Sequence, residues 1–439
     1  MALAPSPVPV RAARARAGVS ALFFTNAVLY ANLVPRLPEI KDRLDLSNAA
    51  LGTAIAAMPL GALLAGLLAS AFIQRWGSAT VGALGLVVLA AAVAVVPLSS
   101  AWLVLAAVML VIGALDAVVD VAQNAHGFRV QRLYGRSIVN AFHGLWSVGA
   151  VTGGLLGAAA AGAGVPLGLH LGVSAVVFGL VALVARRSLL SGPEDSERTG
   201  PQQVDATGTG KRTGTQDSGA AADDPARCRS ARRPGRRWGR AGVRTAVLLA
   251  VLGALAASGA LVEDAGSSWG ALYLRGELGA GAAVGGLAFV ALQAAQTIGR
   301  LTGDRVVDRF GQRRVALAGG GFTAAGMGAA LAWPSVPGTL IGFALAGLGV
   351  ATLVPAVMHT ADELPGLPPG AGLTVVSWLL RIGFLVSPTL VGFAADAAGL
   401  RVALLSVVVA GLLVLVLGRF LDPATGPVGH PGAGATTRP

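Results

Sequence analysis

AWLVLAAVMLVIGALDAVVDVAQN, Ala101 to Asn124, is apolar for nearly its whole length, yet it carries two carboxylates, Asp116 and Asp120. A helix of this length crosses about 30 Å of hydrocarbon. An ionised acid facing lipid near the membrane centre costs several kcal/mol, roughly 3 on insertion scales. The two acids must therefore face protein or water. The stretch reads as a transmembrane helix with one polar face.

The rest of the chain repeats this pattern. Its 439 residues are 54% hydrophobic and 12% charged, about half the charge of a soluble protein. Mean hydropathy is +0.70. Twelve apolar runs are expected to span a membrane: 18–35, 49–72, 79–97, 101–124, 137–160, 166–185, 245–274, 282–302, 314–333, 338–358, 371–394 and 399–420. A β-barrel would alternate polar and apolar residues, and these runs do not. The expected fold is an all-α, multi-pass membrane protein.

Basic residues set the expected orientation. With the N-terminus inside, the inner segments collect Arg11, Arg14, Arg16, Arg75, Arg129, Arg132, Arg136, Arg305, Arg309, Arg313 and Arg314. The outer loops hold few bases, and RLPEIKDRLDLS (36–47) offsets its own with Glu39, Asp42 and Asp45. Both termini are thus expected in the cytoplasm. Topology then accounts for the net charge of +12 without a nucleic-acid partner. The arm RAARARAG (11–18) reads as a cytoplasmic anchor rather than a cleavable leader. The single cysteine, Cys228, permits no intrachain disulfide.

Composition changes abruptly at 188–243, which is rich in Gly, Ser, Thr, Asp and Arg and poor in large apolar residues. Such a segment cannot offset its ordering entropy. It reads as a disordered cytoplasmic linker whose basic end, Arg232 to Arg240, meets anionic lipid headgroups. The expected domains are a first bundle (1–187), this linker, a second bundle (244–422) and a disordered tail (423–439). The bundles resemble each other. At a constant offset of 234 residues, Gly52 meets Gly286, Gly77 meets Gly311, Gly113 meets Gly347 and Gly149 meets Gly383. Two related six-helix units are the repeat plan of many secondary transporters.

The loop GRLTGDRVVDRFGQRRV (299–315) concentrates charge around a turn glycine. It could latch two helices in one conformation and release them in another. This cluster resembles the cytoplasmic loop signature of the major facilitator superfamily, through Gly303, Asp308, Arg309, Gly311, Arg313 and Arg314. The first-half counterpart ASAFIQRWGSATV (69–81) keeps Arg75 and Gly77 but has Gln74 where the signature has an acid. The resemblance implies two pseudo-symmetric six-helix bundles and transport by alternating access.

On the helix of the opening stretch, Asp116, Asp120, Gln123 and Asn124 share one face. Asp120 lies about 13 Å from Arg129 by helix rise, and His143 about 10 Å from Arg136. The two depths match, and an Asp–His pair can hold and pass a proton. Trp146, one turn on, could stack on a sugar-like ring. DVAQNAHG (120–127) followed by SIVNAFHGLWSVG (137–149) is similar to the fucose-permease-like branch of the superfamily. That resemblance implies a role for Asp120 and Asn124 in proton-coupled uptake. The branch has Pro after the Asn, where this chain has Ala125, and an acid on the first span, where this chain has Asn26, Tyr30 and Asn32.

LVEDAGSSWGALYLR (261–275) suggests a discontinuous seventh helix, with Glu263 as a second proton-site candidate. Trp269 and Tyr273 either line the cavity or anchor at the outer interface, Tyr273 reading as an anchor. Arg381 lies near the midplane, about 16 Å from Gly370, and is expected to pair with Glu263, Asp264, Asp120 or an anionic solute. Gln293 and Gln296 add neutral hydrogen-bonding groups suited to a polar solute. GAVTGG (149–154) is similar to a drug–proton antiporter signature but has Ala150 in place of its Pro; plain close packing is the preferred reading.

No metal cluster, phosphate loop or nucleophile elbow appears, so neither an enzyme, a metal nor a cofactor is expected. The expected function is a monomeric, proton-coupled secondary transporter of a small polar solute in the cell membrane. Two alternatives are export by proton antiport and a non-transporting receptor on the same fold.

Overall fold

The computed structural model describes residues 10–134, 138–192, 194, 240–364, 367 and 370–421. All regular structure among them is helical. Twelve helices are long and apolar enough to cross a membrane. Spans 1 to 6 are Val10–Arg43, Asn48–Gly66, Ser78–Leu98, Trp102–Tyr134, Val139–Gly162 and Leu167–Arg186. Spans 7 to 12 are Val243–Gly276, Ala282–Phe310, Gln312–Ala332, Val336–Asp362, Ala371–Ala398 and Leu400–Phe420. The expected tail, and residues 193 and 195–239 of the expected linker, lie outside the described residues.

The glycine repeat has a structural counterpart. Gly113 of span 4 lies against the Met58 carbonyl of span 2, and Gly347 of span 10 lies against the Leu292 carbonyl of span 8. Both partners of these two contacts are related by the same offset of 234 residues. Gly149 packs on Phe24 and Ala27 of span 1, and Gly383 packs on Ala257 and Ala260 of span 7. Gly77 and Gly311 open spans 3 and 9 with φ of +79° and +82°, a region that glycine enters without strain. The chain is therefore two pseudo-symmetric six-helix bundles. GAVTGG serves close packing, since Gly149 and Gly153 bring span 5 onto the backbone of span 1.

The bundles meet along two seams, span 2 against span 11 and span 5 against span 8. Both are tightest on the side away from the linker. There Gly52 touches the Pro388 carbonyl, Gly392 touches the Asn48 carbonyl, and Gly162 touches Ala283. Phe289 of span 8 packs into a buried cluster with Ala27, Ala31, Val34 and Ala150 of the first bundle. Asp396 adds a polar clasp, its two carboxylate oxygens accepting from the Asn48 and Ala49 backbone N–H groups at 2.8 Å each. These are free donors of the first turn of span 2, where a negative charge is favoured. Toward the linker side spans 5 and 8 relax. A methyl group built on Gly144 would stop 4.0 Å from Leu301, at ordinary contact.

The glycine contacts predict a contrast between two identical substitutions. Gly113→Ala drives a methyl group into the Met58 carbonyl and should destabilise the bundle by about 1–3 kcal/mol. Gly66→Ala meets nothing within 4 Å and should be neutral or slightly stabilising. Thermal unfolding in detergent, followed by tryptophan fluorescence, compares the two.

Candidate functional site

A group of polar and charged side chains from both bundles lies on the linker side of the tight seams. Span 4 contributes its acidic face. Asp120 is exposed, and its carboxylate accepts from Asn124 Nδ2 at 3.0 Å and from Gln123 Nε2 at 3.3 Å. His143 of span 5 and Arg381 of span 11 both stand within electrostatic reach of it. Their side chains are exposed too. His143 packs edge-on against Phe23, with ring centroids 5.3 Å apart. Asp120 and His143 thus share a neighbourhood, as their matched depths predict.

Deeper in, three spans are joined by a short relay. Trp146 Nε1 donates to Asn26 Oδ1 at 2.9 Å, and Asn26 Nδ2 donates to Asp116 Oδ1 at 2.8 Å. This connects spans 5, 1 and 4 around a buried amide that is 4% exposed. The Trp146 indole is therefore engaged by Asn26. Tyr30, one turn beyond Asn26, lies within reach of Asp116 on one side and of Glu263 and Asp264 on the other. The first-bundle and second-bundle acids thus converge on Tyr30.

Span 7 departs from expectation. The Gly-Ser-Ser stretch does not break the helix. It widens it into a π-turn, Ala265–Trp269, and the helix resumes at Gly270. Two hydroxyls hold the wide turn: Ser267 donates to the Glu263 carbonyl at 2.8 Å, and Ser268 donates to Asp264 Oδ1 at 2.6 Å. Trp269 and Tyr273 are fully buried at 0% exposure, so neither is an interfacial anchor. An anchor would present its polar tip to the headgroups. Here the Trp269 ring packs beneath Gly52, where it helps close the far side.

Glu263 accepts from Gln296 Nε2 at 2.9 Å and lies 3.6 Å from Arg300. Arg300 was not among the expected site residues. It sits beyond the apolar core of span 8, where hydropathy alone reads loop charge. Gln293 and Gln296 are 2% and 1% exposed, and each keeps one amide atom without a partner among the described residues. Arg381 makes no close ion pair among the described residues; of its expected partners, Asp120 stands within electrostatic reach. The Arg381 side chain is exposed. Ser387 of span 11, also missed, donates to Asp264 Oδ2 at 2.7 Å.

The two linker-side turns differ. In the second bundle Gly303 is buried against Thr352, and Gly311 forms the turn. Asp308, Arg309, Arg313 and Arg314 are all exposed and form no ion pair among the described residues. In the first bundle, where Gln74 replaces the acid, a carboxylate arrives from elsewhere. Glu194 Oε1 accepts from Ser78 N at 2.7 Å and Ser78 Oγ at 3.0 Å, and it pairs with Arg129 at 3.1 Å. Arg129 is 2% exposed. Leu190 N donates to His126 Nε2 at 3.0 Å. The first described residues after span 6 are thus tied to the bundle.

These features are those of a membrane transporter, and the comparisons agree. The profile of the Major Facilitator Superfamily matches residues 19–269 and 247–439, and the chain belongs to that family. Its members are transporters and not enzymes. An uncharacterised MFS-type transporter of Yersinia pestis is 27% identical over 385 residues, 87% of this chain and 89% of that protein. A bacterial homologue of the human lysosomal transporter Spinster, inward-facing and unoccupied, has a TM-score of 0.67 at 16% identity, over 94% of this chain and 98% of that one. A D-xylose–proton symporter has a TM-score of 0.65 at 13% identity, over 93% and 96%. The two structural likenesses bear on the fold alone.

Two results are expected. In a Cys228→Ser background, Gly162→Cys and Ala283→Cys should cross-link under mild oxidation, and Asp396→Ala should lower the yield by loosening the far side. Glu194→Ala should speed proteolytic cleavage after span 6 and lower the unfolding midpoint, since its charge-assisted bonds are worth about 1.5–3 kcal/mol each. Gel analysis of cleavage and a thermal melt check this.

Proposed function

We propose that this chain is a monomeric, proton-coupled secondary transporter of the cell membrane, of the fucose-permease-like kind. It moves a small polar solute by alternating access. Its termini and linker lie in the cytoplasm, the lipid bilayer surrounds the bundles, and a chamber at the polar group described above opens inward. The observation that carries this reading is the placement of Asp120. It is a solvent-reachable carboxylate at the meeting of two bundles, ringed by neutral donors and faced by His143 and Arg381. Asn124 and the polar-aromatic start of span 5 lend support through their resemblance to that branch.

The mechanism follows from the cost of enclosing charge. Closing the linker side would bury Asp120 in a medium that solvates ions poorly, at several kcal/mol. A proton on Asp120 removes that cost, so closure favours the protonated form. A solute bound by Gln293, Gln296 and Tyr30 then crosses with the proton. Opening to the far side requires release of the Asp396 clasp and of the glycine contacts at Gly52 and Gly392. The exposed loop charges around Asp308 then have a partner surface to close upon.

Testing begins with a thermal-shift screen of sugars, amino acids and antibiotics on purified protein. For a hit, proteoliposomes with an imposed proton gradient should accumulate solute above equilibrium, faster at lower external pH. Asp120→Asn should abolish that accumulation while leaving exchange of labelled for unlabelled solute. Accumulation that survives the substitution rejects Asp120 as the coupling group. Accumulation driven only by the opposite gradient selects the antiport alternative.

A further inference from the structure

Asp264 is not used by this mechanism, and its surroundings are unusual. It lies in the helical turn before the π-turn and is 8% exposed. Ser268 donates to one carboxylate oxygen at 2.6 Å and Ser387 to the other at 2.7 Å. Both donors are neutral hydroxyls, themselves buried at 1% and 2% exposure. No arginine, lysine or histidine pairs with Asp264 among the described residues. From its own helix, the charged side chain in reach is Glu263. From span 1, Tyr30 faces it with a neutral phenol. From span 11, Arg381 is directed toward Asp120, and from span 8, Arg300 is directed toward Glu263. A buried carboxylate without a counter-charge costs several kcal/mol in a protein interior and more within a bilayer.

We propose that Asp264, held by Ser268 and Ser387, is a second proton-binding site, located in the second bundle and loaded in the arrangement seen here. This rests on the proton-coupled reading above, but it names a different residue and a different half. Loading forms one O–H bond on a carboxylate oxygen and breaks one on hydronium; nothing is oxidised or reduced. Geometry favours a proton over a metal cation. A protonated carboxyl can donate to one of these hydroxyls and accept from the other, whereas a hard cation would need more oxygen ligands than one carboxylate and two hydroxyls supply. The repeat supports the same view, because Asp264 and Tyr30 are related by the 234-residue offset. The equivalent position in the first bundle is a group that stays neutral. Ser387 binds Asp264 from span 11, so its proton state is felt across two helices of one bundle. The π-turn beside it is a backbone feature frequent at functional sites.

The test reads protonation directly and needs no solute. Infrared spectra of the reconstituted full chain are recorded through a pH titration for the wild type, Asp264→Asn, Asp120→Asn and Ser387→Ala. The expected result is a protonated-carboxyl band near neutral pH that Asp264→Asn removes and Asp120→Asn retains. Ser387→Ala should shift that band to higher frequency, because one donor to the carboxyl is lost. If Asp264→Asn leaves the titration unchanged, or if sodium at constant pH removes the band, the proposal is overturned. If Asp264→Asn does not fold, an unshifted band in Ser387→Ala overturns it. A titrating band that depends on Asp120 alone rejects this site while leaving the Asp120 reading intact. A band lost only with Asp264 supports this site, and the Asp120 reading is then decided by the accumulation assay above.

Discussion

Hydrocarbon solvates neither an ion nor an unpaired backbone group, and the arrangement of this chain follows from that constraint. The backbone satisfies itself within twelve helices. The charged side chains inside the spans cannot do so alone. Asp116, Asp120, Glu263, Asp264, Arg300 and Arg381 are therefore gathered where the two bundles face each other. Tyr30, Asn26, Trp146, Gln296, Ser268 and Ser387 supply neutral hydrogen bonds around them. This polar group is what remains when lipid-facing surfaces have been cleared of polarity and the polar faces of two repeats meet.

Much of this is legible in one sequence because hydropathy and the glycine repeat carry it. The twelve spans, the one-faced acids of span 4 and the 234-residue offset all follow from residue type and spacing. The helix ends are less legible. Span 4 was expected to stop at Asn124 but continues to Tyr134, and span 8 continues from the expected 302 to Phe310. Hydropathy marks where lipid ends, whereas Gln and Arg are good helix formers that extend a helix into water. Partnerships between spans are the least legible. Ser387 beside Asp264, Arg300 beside Glu263 and Glu194 beside Arg129 each join residues 37 or more apart along the chain. No periodicity encodes such pairs. The buried state of Trp269 and Tyr273 was missed for the same reason, since an aromatic near a span end reads alike in either role.

The repeat is symmetric in backbone and unequal in chemistry. Gly77 and Gly311 make matching turns, and Ser78–His126 and Gln312–Thr360 occupy matching places after them. Yet one turn carries its own acid, Asp308, and the other borrows Glu194 from beyond span 6. The first bundle is thereby fastened to the start of the linker, while the loop of the second bundle is left open. Opposite-facing asymmetry holds at the far side, where Asp396 of the second bundle caps a helix of the first and no mirrored clasp is found among the described residues.

The far-side seam is built largely from glycine against carbonyl oxygen, at Gly52 and Gly392. Surfaces of this kind have no rotamers to freeze when they come together. Most protein contacts lose side-chain entropy each time they form, about 0.5–2 kcal/mol for a long side chain. The glycine–carbonyl contacts of the seam avoid that cost and can part and rejoin along a shallow path. Bulkier residues there would hold more firmly once shut and would slow the turnover of the carrier.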